Sequence, residues 1–360
     1  MRQETVGNLI DAGKTRVASS SISSIRAGIV GAGLMGRWHA RAVKKAGGKV
    51  VSVMDHNLNQ ANRLAAMYSN AQSFDNLEKM IDNTSLDVLH VCSPTSSHQK
   101  IAELAIKAGV NLLVEKPISL TEPETVSLYD LASSHGILIC PVHQFVFQDG
   151  VRKAKEQLNC IGRPVHIQAS ICSAGGTGLS SNQLDRIAVD ILPHPLSLMQ
   201  TFLAENLPTE DWVVIKPCEG ELRLLNCLRD ISLSIFISMN SRPTTNSFQI
   251  AGTEGTIHLD LFHGYSVIES GKVSKARKVL HPFDLALRTI SAATVNLGLR
   301  AIRRESAYPG LERLVNDFYT AIKEGKESPI KPDDAITVAR IRDFVISSAG
   351  IGQLASANNG

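Results

Sequence analysis

Gly28-Ile29-Val30-Gly31-Ala32-Gly33-Leu34-Met35-Gly36 decides the fold of this chain. An apolar run from Ile25 to Val30 enters this stretch, and a helix-compatible run from Arg37 to Ala46 leaves it. Strand, tight turn and helix open a βαβ unit, and each glycine of Gly-x-Gly-x-x-Gly has its own reason. Gly31 permits the turn, Gly33 lets the backbone approach a pyrophosphate, and Gly36 lets helix pack on strand. The helix N-terminus, with Leu34 and Met35 in its first turn, offers N–H groups and partial positive charge to the phosphates. A second β-branched run, Val50 to Met54, ends at Asp55. A carboxylate about twenty residues past the loop can accept from both ribose hydroxyls and repels a 2′-phosphate, which predicts NAD in preference to NADP. His56, weakly positive near neutral pH, leaves NADP open.

Outward from this unit the alternation continues through Asn59 to Tyr68, Val88 to Val91, Ser97 to Ala108 and Asn111 to Glu115. Thr121 and Glu124 form a capping box for a helix from Glu122 to His135, stopped by Gly136 before the strand Ile137 to Cys140. Alternating strands and helices predict an N-terminal Rossmann domain with a doubly wound parallel sheet over residues 25–145. Beyond Phe145 the texture changes to long alternating strands, Val165 to Cys172, Leu222 to Leu228, Ile231 to Ser238 and Phe248 to Ala251. They predict an α+β domain over 146–330 with a large, open, mostly antiparallel sheet covered on one face. Leu184 to Phe202 reads as a helix starting or bent at Pro193, and Asp333 to Ala349 as a last helix within a C-terminal segment 331–360. Residues 1–24 read as a mobile arm without the apolar core of a secretory signal.

Composition narrows the partners. The 360 residues are 43% hydrophobic and 20% charged, and 37 Lys and Arg against 34 Asp and Glu leave a net charge of +3. That excess is too small to predict nucleic-acid binding, and no apolar run reaches the roughly 20 residues of a membrane span. Six cysteines, Cys92, Cys140, Cys160, Cys172, Cys218 and Cys227, stand apart without a C-x-x-C pair, so they read as reduced and mostly buried in a cytoplasmic protein with no metal site.

The segments Val91-Cys-Ser-Pro-Thr-Ser-Ser-His98, Val114-Glu115-Lys116-Pro117, Asp190-x-x-x-His194 and Ala251-Gly-Thr-Glu-Gly255 narrow the reading further. Together with the glycine loop, they resemble the glucose–fructose oxidoreductase, inositol dehydrogenase and MocA family (Gfo/Idh/MocA) over about residues 25 to 350. The resemblance implies NAD(P)-dependent hydride transfer at a secondary hydroxyl or ketone of a sugar, cyclitol or nucleotide sugar. It implies Lys116, Asp190 and His194 as catalytic. Lys116 would steady alkoxide character, His194 would take or give the proton, and Asp190, one turn before it on a shared helix, would orient substrate or histidine. Ser93, Pro94, Thr95, His98, Glu115 and Lys116 fall where relatives hold the cofactor. His143 and Gln144 fall where relatives hold substrate, as do Lys116, Asp190 and His194. Relatives often carry glycine and an acid where this chain has Leu192 and Ser197, and Asn-x-Arg-Phe where it has His143-Gln144-Phe145. The departures bear on substrate more than on reaction. The alternatives are a dinucleotide-binding regulator of the same fold, a reductase of a non-carbohydrate acceptor, and redox-neutral glycoside cleavage on held NAD. A homodimer or homotetramer built on the open sheet is expected.

From Lys272 to Arg304 there are eight basic residues against Asp284 alone. Pro282 to Arg304 can form a helix with Phe283, Leu287, Ile290, Ala293, Leu297 and Ala301 on one side. The reading is a helix packed on the sheet by that side with a solvated basic face; an interfacial helix would need such a basic amphipathic pattern, and an anionic substrate such as a nucleotide sugar would also suit the charge.

Overall fold

The computed structural model describes residues 24–271, 275–305 and 307–351, with side chains undescribed for 275–279. The arm expected over residues 1–24 falls almost wholly outside the described residues, as do Lys272 and the tail after residue 351.

The first half alternates as its periodicity demands: β1 Arg26–Val30, α1 Leu34–Lys45, β2 Lys49–Met54, α2 Leu58–Ala65, β3 Gln72–Phe74, α3 Leu77–Asn83, β4 Val88–Val91, α4 His98–Lys107, β5 Asn111–Val114, α5 Glu122–His135 and β6 Ile139–Pro141. All six strands are parallel in the order β3-β2-β1-β4-β5-β6, so the chain reverses direction across the sheet between β1 and β4. In open α/β sheets that switch point places a ligand crevice at the carboxyl ends of the strands. Helix boundaries have local causes. Asn57 accepts from the Asn59 N–H to start α2, and the Thr121–Glu124 capping box starts α5, which Gly136 ends at φ +66°.

The second half contains α6 Asp149–Glu156, β7 Pro164–Cys172, α7 Ser181–Ile191, α8 Pro193–Phe202, β8 Val213–Ile215, β9 Glu221–Leu228, β10 Ile231–Ser238, β11 Thr245–Gly252, β12 Gly255–Asp260, β13 Tyr265–Ser270, α9 Lys275–Arg303, α10 Leu311–Glu324 and α11 Pro332–Ser348. Its sheet runs β13-β12-β11-β7-β10-β9-β8 and is antiparallel except where β10 lies parallel to β7. Alternation sorts the faces. Leu233, Ile235 and Ile237 of β10 are buried with Ile167 and Ala169 of β7 beneath α7 and α8, while Gln168, Ser232 and Ser234 face outward.

Four expectations are corrected. A helix does start at Pro193, as read, because Pro193 has no N–H to give and its ring would strike the carbonyl one turn earlier; what is corrected is the helix shared by Asp190 and His194, since Asp190 lies in α7, His194 in α8 and the break falls at Leu192. α10, placed by chain order in the second domain, instead returns to the first core, where Leu314, Val315, Phe318 and Tyr319 are buried with Ile29 and Val43. Only Cys140 and Cys172 are buried, whereas Cys160, Cys218 and Cys227 are exposed; Cys227 falls on the outward register of β9. Finally, α9 lies along β13 with its apolar side outward. Phe283, Leu287, Ile290 and Leu297 are 62–69% exposed, while Arg300 and Arg303 reach acceptors on the body.

Candidate active site

A cleft of about 900 Å³ lies at the switch point, lined by Gly31, Gly33, Asp55, His56, Ser93 and Pro94 among others. Gly31, at φ +92°, bears against the Cys92 carbonyl, and a Cβ on Gly36 would stand 1.9 Å from the Gly31 carbonyl oxygen. Those two glycines are required by the protein's own packing. Gly33 is different: a Cβ there would meet nothing within 4 Å and would project into open space, so its lack of a side chain keeps room for a ligand. The first turn of α1 follows at once, and its leading N–H groups have no intrahelical acceptors. The Asp55 carboxylate accepts from the Ala32 N–H at 2.8 Å and the Asn57 N–H at 2.9 Å, which ties the glycine loop to the end of β2. Its remaining lone pairs face the same cleft, so the cradle fits a dinucleotide.

Not every residue expected at the cofactor lines this cleft. His98 is 1% exposed, with Nδ1 2.9 Å from the Pro117 carbonyl and Nε2 2.8 Å from the Ser93 carbonyl. It ties the loop after β4 to the loop after β5. Burial pulls its pKa down, against the pull of those carbonyls and of Glu115. Glu115 also turns inward. One oxygen lies 3.1 Å from His39 Nε2 and the other accepts from the Lys116 N–H, at the head of a buried chain through His39 and His90 to the Tyr319 hydroxyl. Burial raises the Glu115 pKa, but the His39 hydrogen bond and charge and the Lys116 charge outweigh it, and the net shift is downward. Thr95 stands at the start of the short 3-10 turn Thr95–Ser97, while Leu34 is exposed and Met35 half-buried on α1.

The residues expected to do chemistry gather beside this cleft, where β5, β6, α7, α8 and α11 meet. Lys116, before a cis bond to Pro117, donates from Nζ to the Asp190 backbone carbonyl at 2.8 Å. Asp190 ends α7 and His194 opens α8, so the break at Leu192, rather than one continuous helix, sets their relation. The Asp190 carboxylate lies 3.9 Å from the Arg342 guanidinium of α11, and burial pushes its pKa up despite Lys116, Arg342 and Arg186. His194 is 8% exposed and stacks on Phe145 at 4.4 Å, and its Nδ1 is buried with no hydrogen-bond partner among the described residues. Burial, then the charges of Lys116 and His143, hold it well below the usual histidine pKa. His143 is held at about 4 by burial and Lys116, against Glu115. Gln144 is buried, and its side-chain oxygen has no hydrogen-bond partner among the described residues.

Sequence reading passed over Arg342. It is 1% exposed, with Nη1 donating to the Leu120 carbonyl at 2.9 Å while Nη2 faces Asp190. The signal was available: Arg342 falls four residues after Val338 and seven after Ala335, inside the buried stripe of α11. Phe145, the stacking platform for His194, was quoted only as a departure from the relatives.

The family model described as oxidoreductase family, NAD-binding Rossmann fold, matches residues 25–143. UDP-N-acetylglucosamine 3-dehydrogenase of Acidithiobacillus ferrooxidans is 30% identical over 119 residues, which are 33% of this chain and 37% of that protein. D-glucoside 3-dehydrogenase of Escherichia coli is 27% identical over 140 residues, 38% of this chain and 40% of its own. The chain thus spans 37–40% of the length of these two curated relatives. A solved levoglucosan dehydrogenase, in complex with NADH and levoglucosan, superposes with a TM-score of 0.74 at 19% identity, covering 91% of this chain and 97% of that one, a likeness of fold. Over residues 25–143 the chain thus matches the NAD-binding Rossmann domain of the Gfo/Idh/MocA oxidoreductases, and over its greater length it shares their fold.

Proposed function

We propose that the protein is an NAD-preferring dehydrogenase or reductase acting on a secondary hydroxyl or ketone of a sugar, cyclitol or nucleotide sugar. The observation that carries the reading is the gathering of Lys116, whose Nζ donates to the Asp190 carbonyl and whose charge acts on His194, with a buried His194 whose Nδ1 has no hydrogen-bond partner among the described residues, beside a cleft that fits a dinucleotide. A pure binder of dinucleotide has no use for that pair. When bound, the nicotinamide accepts or supplies the hydride. The protein's own groups handle the rest. Lys116 spends one donor on the Asp190 carbonyl and keeps others for the reacting oxygen, where an ammonium steadies alkoxide character. Neutral His194 takes the hydroxyl proton in oxidation and returns it in reduction. Asp190, drawn toward Arg342, and the buried amide of Gln144 position the remaining hydroxyls. The names of the relatives, dehydrogenases of glycosides and of a nucleotide sugar, support the carbohydrate class.

Thermal melting with NAD⁺, NADH, NADP⁺ and NADPH, followed by a 340 nm screen of sugars, cyclitols and nucleotide sugars, tests the reading. Ligand at about 100 times its Kd adds roughly 2.7 kcal/mol of stability. A shift with NAD(H) that Asp55→Ala reduces more than the NADP(H) shift, together with turnover of a carbohydrate, is the expected result. A shift with no turnover across the screen would transfer the protein to the regulators, and no shift with any of the four would remove the cofactor assignment.

A further inference from the structure

The junction around Asp190 holds more donors than acceptors. Lys116 gives one N–H to the Asp190 carbonyl and keeps others. Behind Asp190, Arg342 gives Nη1 to the Leu120 carbonyl, while its Nε and Nη2 are buried with no hydrogen-bond partner among the described residues. The other acids nearby are engaged. Glu115 turns inward to His39, Asp343 accepts from the Glu122 N–H, and Asp185 holds Lys216 and accepts from the Gly220 N–H at 2.7 Å. Asp190 remains, and at 3.9 Å from Nη2 its carboxylate is drawn back toward Arg342.

Arg186 is the cation this leaves over. It lies in α7 one turn before Asp190, and positions four apart share a helix face. Burial raises the Asp190 pKa, and Arg186 is among the charges that draw it back, so the guanidinium stands close to that carboxylate. Yet Arg186, half-buried, makes no hydrogen bond or ion pair among the described residues, although an arginine and an aspartate so spaced can pair. A half-buried guanidinium with its donors free matches an acceptor-rich anion, and its planar fork takes a carboxylate or a phosphate through two parallel bonds. The spacing selects between them. Four residues of α7 rise about 6 Å, the span of one sugar ring, so Asp190 and Arg186 can hold opposite edges of a single ring. A carboxylate on the ring reaches Arg186 at that span, whereas a phosphate ester or a diphosphate carries its charge farther out.

We infer that Arg186 is a specificity-determining residue and that the substrate is a sugar acid, whose ring carboxylate pairs with the Arg186 guanidinium while Lys116, Asp190 and His194 work on a hydroxyl across the ring. The reaction in this statement rests on the proposed function; the anion site does not. The carboxylate itself is unchanged in oxidation. The hydroxyl-bearing carbon loses hydride, with its electron pair, to the nicotinamide, and the oxygen loses its proton to His194, which leaves the ketone of the same acid.

Two measurements on the full chain test this. kcat/KM at 340 nm is compared for D-glucuronate and D-galacturonate, the parent D-glucose and D-galactose, glucose 6-phosphate and UDP-glucose, in wild type, Arg186→Gln and Arg186→Lys. Melting shifts with the same compounds in the presence of NADH record binding without turnover. The uronates should exceed their parent hexoses on the order of 10- to 100-fold, the effect of one charge-assisted pair. Arg186→Gln should remove most of that ratio through KM, Arg186→Lys should restore part of it, and the melting shift with NADH alone should stay at the wild-type value. Parent hexoses turned over as well as uronates, or an unchanged ratio in Arg186→Gln, overturns the inference and leaves the proposed function standing. Preference for a phosphate-bearing sugar overturns the sugar acid in favour of a phosphate. If no compound turns over, an Arg186-dependent melting shift with uronate sustains the anion site while the reaction fails, and the absence of that shift overturns both.

Discussion

At the scale of single residues, Lys116 and His194 carry the argument and each has a distinct signature when removed. Lys116→Ala deletes an ammonium that also depresses the pKa of its neighbours, since its charge acts on both His143 and His194. His194→Ala deletes the group proposed to accept the proton while leaving the cleft at the switch point untouched. Both should lower kcat by on the order of 10²-fold or more, with the NAD(H)-induced melting shift retained. Steady-state kinetics beside thermal melting checks this; a parallel loss of cofactor affinity would make the two residues structural. Neither role was legible from spacing alone. Glu115-Lys116-Pro117 drew attention through the family resemblance, and the isolation of His194 Nδ1 could be seen only once Phe145 and α8 were in place.

At the scale of elements, the glycine loop separates two functions that one motif combines. Gly36 holds α1 against β1, because any side chain there would drive into the Gly31 carbonyl, whereas Gly33 faces open space. Gly36→Ala should therefore cost stability, on the order of 1–3 kcal/mol for an overpacked contact that backbone must relieve. Gly33→Ala should melt close to wild type yet lose most of the shift produced by NAD(H). Melting curves of the two variants with and without cofactor check the pair, and equal behaviour would dissolve the distinction. β1, its loop and α1 were legible because every determinant is local. β3 and α3 were not read, since three strand residues and seven helical ones hold too few periods to show a pattern. For α9 the period announced an apolar side, but which side meets the body depends on His263, Glu269 and Asp149, distant in sequence from most of the helix.

At the scale of the whole molecule, the two sheets are joined by helices that sequence order assigns to one half or the other. α10 fills the first core, and α11 contributes Ala335 to the first cluster while Val338, Ile341 and Val345 enter the second. Such pairing over long separations leaves no local trace, which is why division of the chain by texture misplaced α10. The junction they close encloses His143 and His194, and this enclosure gives the fold a pH dependence. His143 is held at about 4 in the folded protein, against 6.5 for the free side chain, and His194 is lowered as well. Between those values the unfolded chain binds a proton that the folded chain refuses, so stability is full above pH 6.5 and falls as pH drops toward 4. For His143 the loss amounts to roughly 3 kcal/mol across that window, with His194 adding in the same direction. Urea midpoints measured from pH 7.5 to 4 should decline steeply below 6.5 in the wild type. In His143→Gln the decline should be shallower, because a side chain that never charges contributes nothing to the difference in bound protons. An unchanged slope in that variant would mean that His143 is solvated, and the junction between the sheets open, in solution.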